Sequence, residues 1–486
     1  MNSSERYEVV VGLEIHAQLS TKSKIYSSDS AQFGADPNTQ VDVLTLGHPG
    51  TLPYLNIKVV DYALRMGIAT KCRIRLENRF ARKNYFYADL PKGYQITQDT
   101  TPICEDGYID LKPHGKESKR IRITRIHMEE DAGKSMHDQD LRDSLIDLNR
   151  AGVPLIEIVS QPDIRSSEEA VLYLSEVRKL LRYLDICDGN MEEGSMRCDA
   201  NISVRLQGSS SFGNRCEVKN LNSIRNVQRA IEHEAERQIA VLEDGGFIEQ
   251  NTLNFDALSG STSVLRSKEM SNDYRYFTEP DLPPVLLTHE WIRRVEQEMP
   301  ELPAALHKKF VSSFGQSDQN AEILIEHRDI GAFFLETCQF TANYKAVFNW
   351  LLGPVKNYLN ELALEMQDLD FKPQKLAEII ALIDQGKINN SLAAQQLLPA
   401  VINEPAEDAL KIAQRQGILV DAGSEDLEGF IKEAMLKYPA KVLEFQQGKR
   451  GLAGLFMGEV MKLSKGKVDP KSANELLVKT LEEFKQ

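Results

Sequence analysis

The chain has 486 residues, 42% of them hydrophobic and 27% charged, with 58 Lys and Arg against 72 Asp and Glu for a net charge of −14. At roughly 150 residues per domain, this length predicts about three domains with ample buried cores. Ordinary apolar content excludes a disordered chain, and no run of about 18 apolar residues exists to cross a membrane. The acidic total argues against a passive nucleic-acid coat while leaving room for a local basic surface. Met1 to Arg6 lead straight into the strand-like Tyr7 to Val11, so no signal or transit segment is expected. Six scattered cysteines form no C-x-x-C pair, which indicates neither a disulfide framework nor a Cys-based zinc site. The expectation is a soluble, reduced, cytoplasmic protein.

The first 288 or so residues read as strands divided by Gly, Asn and Asp turns. Between Tyr7 and Leu19, Val9, Val11, Leu13 and Ile15 face one way, and Val10, Gly12, Glu14, His16 and Gln18 the other. Further strands are predicted over Arg120–Met128, Pro154–Val159, Asn201–Leu206 and Cys216–Val218. Ser166-x-x-Glu169 is a capping box that opens a helix with the stripe Val171, Leu174, Val177, Leu181, Leu184. A second helix runs from about Ser223 to Glu243 and stops at Gly245-Gly246. Glu279-Pro-Asp-Leu-Pro-Pro284 is a break, after which the pattern turns helical through Phe340–Glu361, Pro373–Gln385 and Ser391–Leu398. Asn403 to Glu407 reads as a second linker, followed by short amphipathic helices with Gly-rich breaks.

Several segments carry chemistry. Glu14-x-His16 places a carboxylate and an imidazole on one face of a strand, a pair suited to Mg²⁺ or Mn²⁺ or to a plain ion pair. His127-Met-Glu-Glu-Asp131 packs three carboxylates together, which asks for a cation or for solvent. The following Gly133-Lys134-Ser135 is no P-loop, because the first glycine position is Met128. Glu157 lies inside the apolar run Pro154–Val159 and needs a metal or an arginine partner. Arg197, Asp199 and Asn201 sit in a turn entering a strand, and Lys219, Asn220, Asn222 and Ser223 sit at a helix start fit for a phosphate or for simple capping. Arg82-Lys83-Asn-Tyr-Phe-Tyr87 interleaves cations with aromatics, as nucleic-acid contacts and packed aromatic clusters both do. Gln207–Gly213 has the Gly-Ser flavour of an amidase but lacks a fitting upstream Lys, and is read as a hairpin loop. Together the clusters point to Mg²⁺-assisted phosphoryl transfer.

Longer strings carry a resemblance. Val11-Gly-Leu-Glu-Ile-His-Ala-Gln-Leu19, Arg82–Tyr87, Tyr94-Gln-Ile-Thr-Gln98, His127-Met-Glu-Glu-Asp-Ala-Gly-Lys134, Asp147–Glu157, Met191–Asn201, Lys219–Ser223 and Asn272-Asp-Tyr-Arg-Tyr-Phe277 resemble, in order, the GatB family of aminoacyl-tRNA amidotransferase B subunits. The resemblance implies an α+β cradle-type catalytic domain over 1–290, an all-α helical domain over 291–405 and a small all-α YqeY-like tail over 406–486. It implies ATP-dependent phosphorylation of the side-chain carboxylate of misacylated Glu-tRNA(Gln) or Asp-tRNA(Asn), then amidation with ammonia. That ammonia would come from an amidase, the A subunit, with a small C subunit completing a heterotrimer.

By the same resemblance, catalysis and the Mg²⁺ ligands fall to Glu14, His16, Glu130 and Glu157. Strand parity alone does not separate Glu129 from Glu130. ATP contacts fall to Arg197, Asp199, Lys219, Asn220 and Asn222. Contacts to tRNA fall to Arg82, Lys83, Lys449, Arg450, Lys465 and Lys467. Some relatives bind zinc through two Cys pairs. Here Cys72 is present, but Val41 and Leu44 occupy the region of the first pair, so no zinc is expected. Between Lys441 and Glu475 seven cations face four carboxylates, a local surplus of +3 that suits tRNA binding. Two rivals are a non-catalytic tRNA-docking scaffold and a carboxylate–amine ligase acting on a free small molecule.

Overall fold

The structure is a computed structural model that describes residues 6–112, 117–136, 142–267, 274–420, 424–464, 468 and 470–483. Two compact units divide at Pro303.

The first unit is built on a mixed twelve-stranded sheet. Its strands are β1 (Tyr7–Gln18), β2 (Arg73–Ile74), β3 (Ala81–Asn84), β4 (Tyr94–Thr97), β5 (Cys104–Leu111) and β6 (Lys119–Glu130). They continue with β7 (Pro154–Ser160), β8 (Met196–Leu206), β9 (Cys216–Leu221), β10 (Asn251–Asp256), β11 (Ser261–Ser267) and β12 (Phe277–Thr278). The order is β11-β10-β9-β8-β1-β7-β6-β4-β3-β12, with β5 pairing β6 and β2 pairing β5. Only β9 and β10 run parallel among these pairs. Helices α1 (Ile57–Ala69), α2 (Ser167–Tyr183) and α3 (Ile224–Glu243) pack on the sheet, and α4 (His289–Gln297) packs on α1. Trp291 Nε1 and the Arg294 guanidinium both donate to buried Asp61 on α1, at 2.6 and 2.9 Å.

Alternation decides which face is dry. Val11, Leu13, Ile15 and Ala17 of β1, Ile156 and Ile158 of β7, and Cys198, Ala200 and Ile202 of β8 join one core with Tyr173, Leu174 and Val177 of α2 and Val227 and Ile231 of α3. The intervening residues form an outer, polar face. On β6 the alternation changes sense. Ile121 and Ile123 are core residues, and so are Ile126 and Met128. Pairing with β7 jumps from Val159↔Arg125 to Ser160↔Ile123, so Thr124 is the additional residue of a bulge. Its neighbour β5 changes sense at the same level across Asp106, whose φ is +56°.

Two local expectations are corrected. β8 starts at Met196 rather than Asn201, because Met196, Cys198 and Ala200 already alternate into the core. Arg197 and Asp199 are therefore strand residues rather than turn residues. Ser166 does cap α2, accepting from the Glu169 amide at 3.2 Å. Glu169, however, accepts from the Arg165 amide at 2.7 Å and from Lys119 at 2.6 Å rather than closing a reciprocal box.

Among the described residues of the second unit, the regular elements are helices. The helix over Tyr344–Leu362 is interrupted by a π-turn at Leu351–Val355, where Pro354 supplies no N–H to the ladder. The segment around Glu404–Glu407 does not interrupt packing: Lys375 Nζ donates to the Glu407 carbonyl at 2.8 Å, and the Ala409 amide donates to Glu378 at 3.0 Å. Later helices close a separate cluster that includes Ile431, Met435, Phe445, Phe456, Val460 and Leu477.

Candidate active site

The outer face of the sheet gathers the chemistry predicted from separate segments. Register places His16 opposite Glu157, Glu157 opposite His127, and Arg197 on the other side of His16. Directly opposed residues share a face, so a row Arg197–His16–Glu157–His127 crosses four strands. Glu129, two residues beyond His127, lies on that face too. His16 Nδ1 stands 3.3 Å from Glu129 Oε1 and 3.8 Å from Glu157 Oε2. His127 Nε2 stands 3.4 Å from Glu157 Oε2. One ligand atom from each of His16, Glu129 and Glu157 lies within 4.8 Å of the others.

Electrostatics follow from this crowding. Burial alone lowers the His16 pKa, but the Glu157 and Glu129 carboxylates raise it above 6.5. His127 is likewise desolvated, and Glu157 and Glu129 bring it to about 9. Against their own burial, the two histidines hold Glu157 at about 2 and Glu129 well below the usual carboxylate range. Glu14 differs. Burial, then the charges of Glu157 and Glu217, raise its pKa, and Asn201 Nδ2 donates to it at 2.9 Å.

Glu130 points away from this group. Its carboxylate pairs with Lys92 and accepts from the Ile96 amide at 2.8 Å. The structure thus brings together His16 and Glu157, with Glu14 one step along β1, and puts Glu129 rather than Glu130 beside them. His127 was not singled out from sequence. Its signal was the His127-x-Glu129 spacing, which mirrors Glu14-x-His16.

Beside the row lies a cavity of about 770 Å³ lined in part by Gln18, Arg197, Asp199, Asn220 and Asn222. Arg197 donates to Asp131 at 2.7 Å, and Lys219 is paired with Asp199 and Glu217. Burial opposes the charge on Lys219, yet Asp199 and Glu217 raise its pKa. Lys219 belongs to β9, and Asn220 has φ +67°. Ser223 caps α3 through the Asn226 amide at 3.1 Å.

Four tyrosines edge the row. Tyr87, Tyr85, Tyr274 and Tyr276 form a chain of edge-to-face contacts with centroid spacings of 5.7, 6.0 and 6.1 Å. Tyr276 is pushed up to about 12 by burial and by Asp99, Tyr274, Glu129 and Glu157. Lys83 Nζ lies 4.8 Å from the Tyr274 ring centre. Arg82 is committed elsewhere: its Nε and a terminal nitrogen donate to Glu279 at 2.7 and 2.9 Å, and its guanidinium covers Tyr94 at 4.2 Å. In the second unit, Lys449 donates to Glu444 at 3.0 Å, and Arg450 pairs with Glu482. Lys465 and Lys467 lie outside the described residues, as do Asn272 and Asp273.

A mixed sheet with a buried acid–histidine row beside a large cavity defines a catalytic domain, and residues 9–293 match the GatB/GatE catalytic domain. Residues 332–481 match the GatB domain. The chain is 48% identical to the B subunit of aspartyl/glutamyl-tRNA(Asn/Gln) amidotransferase from Solidesulfovibrio magneticus, over 98% of its length and 99% of that protein. It is 47% identical to the protein of the same name from Thermodesulfovibrio yellowstonii, over 98% and 100%. The chain belongs to the family of aspartyl/glutamyl-tRNA(Asn/Gln) amidotransferase B subunits.

Proposed function

We propose that this chain activates and amidates the side-chain carboxylate of Glu on tRNA(Gln), or Asp on tRNA(Asn), as one component of an ATP-dependent amidotransferase. The reading is carried by the His16–Glu157–His127 row with Glu129, in a chain collinear with B subunits bearing that name. A carboxylate does not yield to ammonia directly, because oxide is too poor a leaving group. Attack by the substrate carboxylate on the γ-phosphorus of ATP gives an acyl phosphate and ADP. Ammonia then adds to the acyl carbon, phosphate leaves, and the amide remains esterified to tRNA.

The donor set fits a divalent cation. One imidazole and two carboxylates converge at His16, Glu129 and Glu157, and both carboxylates stay ionised despite burial. These three, with Glu14 as a further donor, would hold Mg²⁺. Glu130, engaged by Lys92, is left out of the set. When bound, the cation would neutralise phosphate oxygens and polarise the phosphoryl group.

The protein's own groups do the positioning. The His127 imidazolium forms an ion pair with Glu157 and keeps it aimed across the row. Arg197, Asp199, Lys219, Asn220 and Asn222 stand at the cavity or its edge and would hold the nucleotide, whose size suits a pocket of about 770 Å³. Lys83 and the tyrosine chain supply a cationic, aromatic edge for the single-stranded end of tRNA, and Lys449 and Arg450, with Lys465 and Lys467, would meet its phosphates. Ammonia would arrive from an amidase, the A subunit, in a complex that also contains a small C subunit.

The test is amidation by the purified complex with glutamine, ATP and either Glu-tRNA(Gln) or Asp-tRNA(Asn). ATP turnover that requires the charged tRNA supports the reading. Equal turnover with free glutamate would refute it.

A further inference from the structure

The arginines of the outer face are largely neutralised within the fold. Arg73 and Arg75 each lie 2.7 Å from Glu105, Arg122 lies 2.7 Å from Asp163, and Arg197 lies 2.7 Å from Asp131. Arg125 is different. Among the described residues its side chain takes part in no hydrogen bond or ion pair, and its Nε, like those of Arg75 and Arg197, is buried without a partner. Register puts Arg125 opposite Glu105 on β5 and Val159 on β7, with Glu14 the next residue across on β1. Glu105 is already held by Arg73 and Arg75. Beyond the Thr124 bulge, Arg125 shares its face with His127 and Glu129.

A guanidinium that gives up part of its hydration without a partner is costly, and native proteins keep few such groups. That cost is offset when the partner arrives from outside. We propose that Arg125 binds an oxyanion of the substrate pair, either a phosphate of the nucleotide or the side-chain carboxylate of the aminoacyl group. This inference rests on the amidotransferase reading above. The planar fork of donors matches both anions in bidentate fashion, which a lysine does not reproduce. The location fits as well: Arg125 is two residues from His127 along β6, on the face where phosphate and carboxylate must meet.

The experiment uses the assembled complex with R125Q and R125K, varying ATP and Glu-tRNA(Gln) separately and following thermal unfolding alongside. Loss of a charge-assisted contact should lower kcat/KM by about ten- to a hundredfold in R125Q, with partial recovery in R125K. Because no internal partner is lost, Tm should stay unchanged or rise in both variants. A raised KM for ATP assigns the phosphate, and a raised KM for Glu-tRNA(Gln) assigns the carboxylate. A fall confined to kcat assigns the phosphoryl group as it transfers. The inference is overturned if every constant stays within about twofold of the parent, or if both variants lose activity together with a lowered Tm, as a structural role would give. An inactive parent complex would instead count against the amidotransferase reading itself.

Discussion

The Arg82–Glu279 pair yields a prediction with a built-in asymmetry. The Glu279 side chain is 0% exposed, and beyond Arg82 it receives the Asp281 amide at 2.9 Å. Arg82 is 19% exposed, and it keeps Asp281 at 3.0 Å and the Tyr94 face if Glu279 is removed. Arg82→Ala therefore strands a fully buried carboxylate, at a cost of about 3–5 kcal/mol. Glu279→Ala strands a cation that retains two partners and some water, at about 1–3 kcal/mol. The double variant strands neither charge and should cost less than the two single changes combined by at least about 1 kcal/mol. The chain has two tryptophans, Trp291 in the first unit and Trp350 in the second. In a Trp350→Phe background, Trp291 fluorescence during urea unfolding reports the first unit, which matters because a two-unit chain need not unfold in one step. If Glu279→Ala costs as much as Arg82→Ala, or if the costs simply add, the assignment of Arg82 as a structural partner rather than a free tRNA contact is wrong.

Other outcomes are open to measurement. Glu129→Gln should weaken Mn²⁺ binding, followed by calorimetry, by about tenfold or more, while Glu130→Gln stays within about threefold, since only the former belongs to the His16–Glu157 group. Glu234, wholly buried, is pushed up by burial, but hydrogen bonds from Arg237 and Gln238 prevail and lower its pKa below 4.5. A depressed folded pKa contributes stability that is present above 4.5 and lost as pH falls through the folded value. Urea midpoints on descending below pH 4.5 should therefore drop less steeply in Glu234→Gln than in the parent; parallel curves would exclude the pair as a source of acid sensitivity. Replacing Lys449 and Arg450 by Ala should reduce the slope of log affinity for tRNA against log salt by up to about two units, whereas an unchanged slope would leave both cations to their pairs with Glu444 and Glu482.

The period-two pattern of Tyr7–Leu19 was enough to put Glu14, His16 and Gln18 on the polar face, because one face of that strand had to be dry. The choice between Glu129 and Glu130 was not legible in the same way. Parity says that they point oppositely, but which of them faces His16 depends on the phase of β6, which changes between Ile123 and Ile126, and on the pairing with β7 that sets His127 beside Glu157. Arg82 shows another limit: its partner Glu279 lies 197 residues along the chain, so the Arg-aromatic string by itself leaves a nucleic-acid contact and a packed cluster both open. Arg197 and Asp199 were placed in a turn because the acidic Glu192-Glu193-Gly194 dominates local propensity, while cross-strand pairing with β1 decides otherwise. The cavity beside the row was even less visible, since its lining comes from strands and loops spread between Gln18 and Asn222.

The bulge at Thr124 has a meaning for how this chain tolerates change in length. On its N-terminal side, odd-numbered residues Ile121 and Ile123 fill the core; on its C-terminal side, even-numbered Ile126 and Met128 do so. One residue is all that separates the two phases. Deleting Thr124 itself would join Ile123 to Arg125 in plain alternation, keeping Ile126 and Met128 in the core and Arg125, His127 and Glu129 on the polar face. It would leave Asp106 of β5 as the unmatched residue at that level. A residue lost elsewhere between Ile121 and Glu129 inverts part of the strand, because both flanks are anchored, by apolar packing on one side and by the acid–histidine row on the other. An engineered deletion of Thr124 should therefore leave the acid–histidine row in place and cost only the match between β6 and β5, whereas deletion of Ile126 or Met128 should break the row.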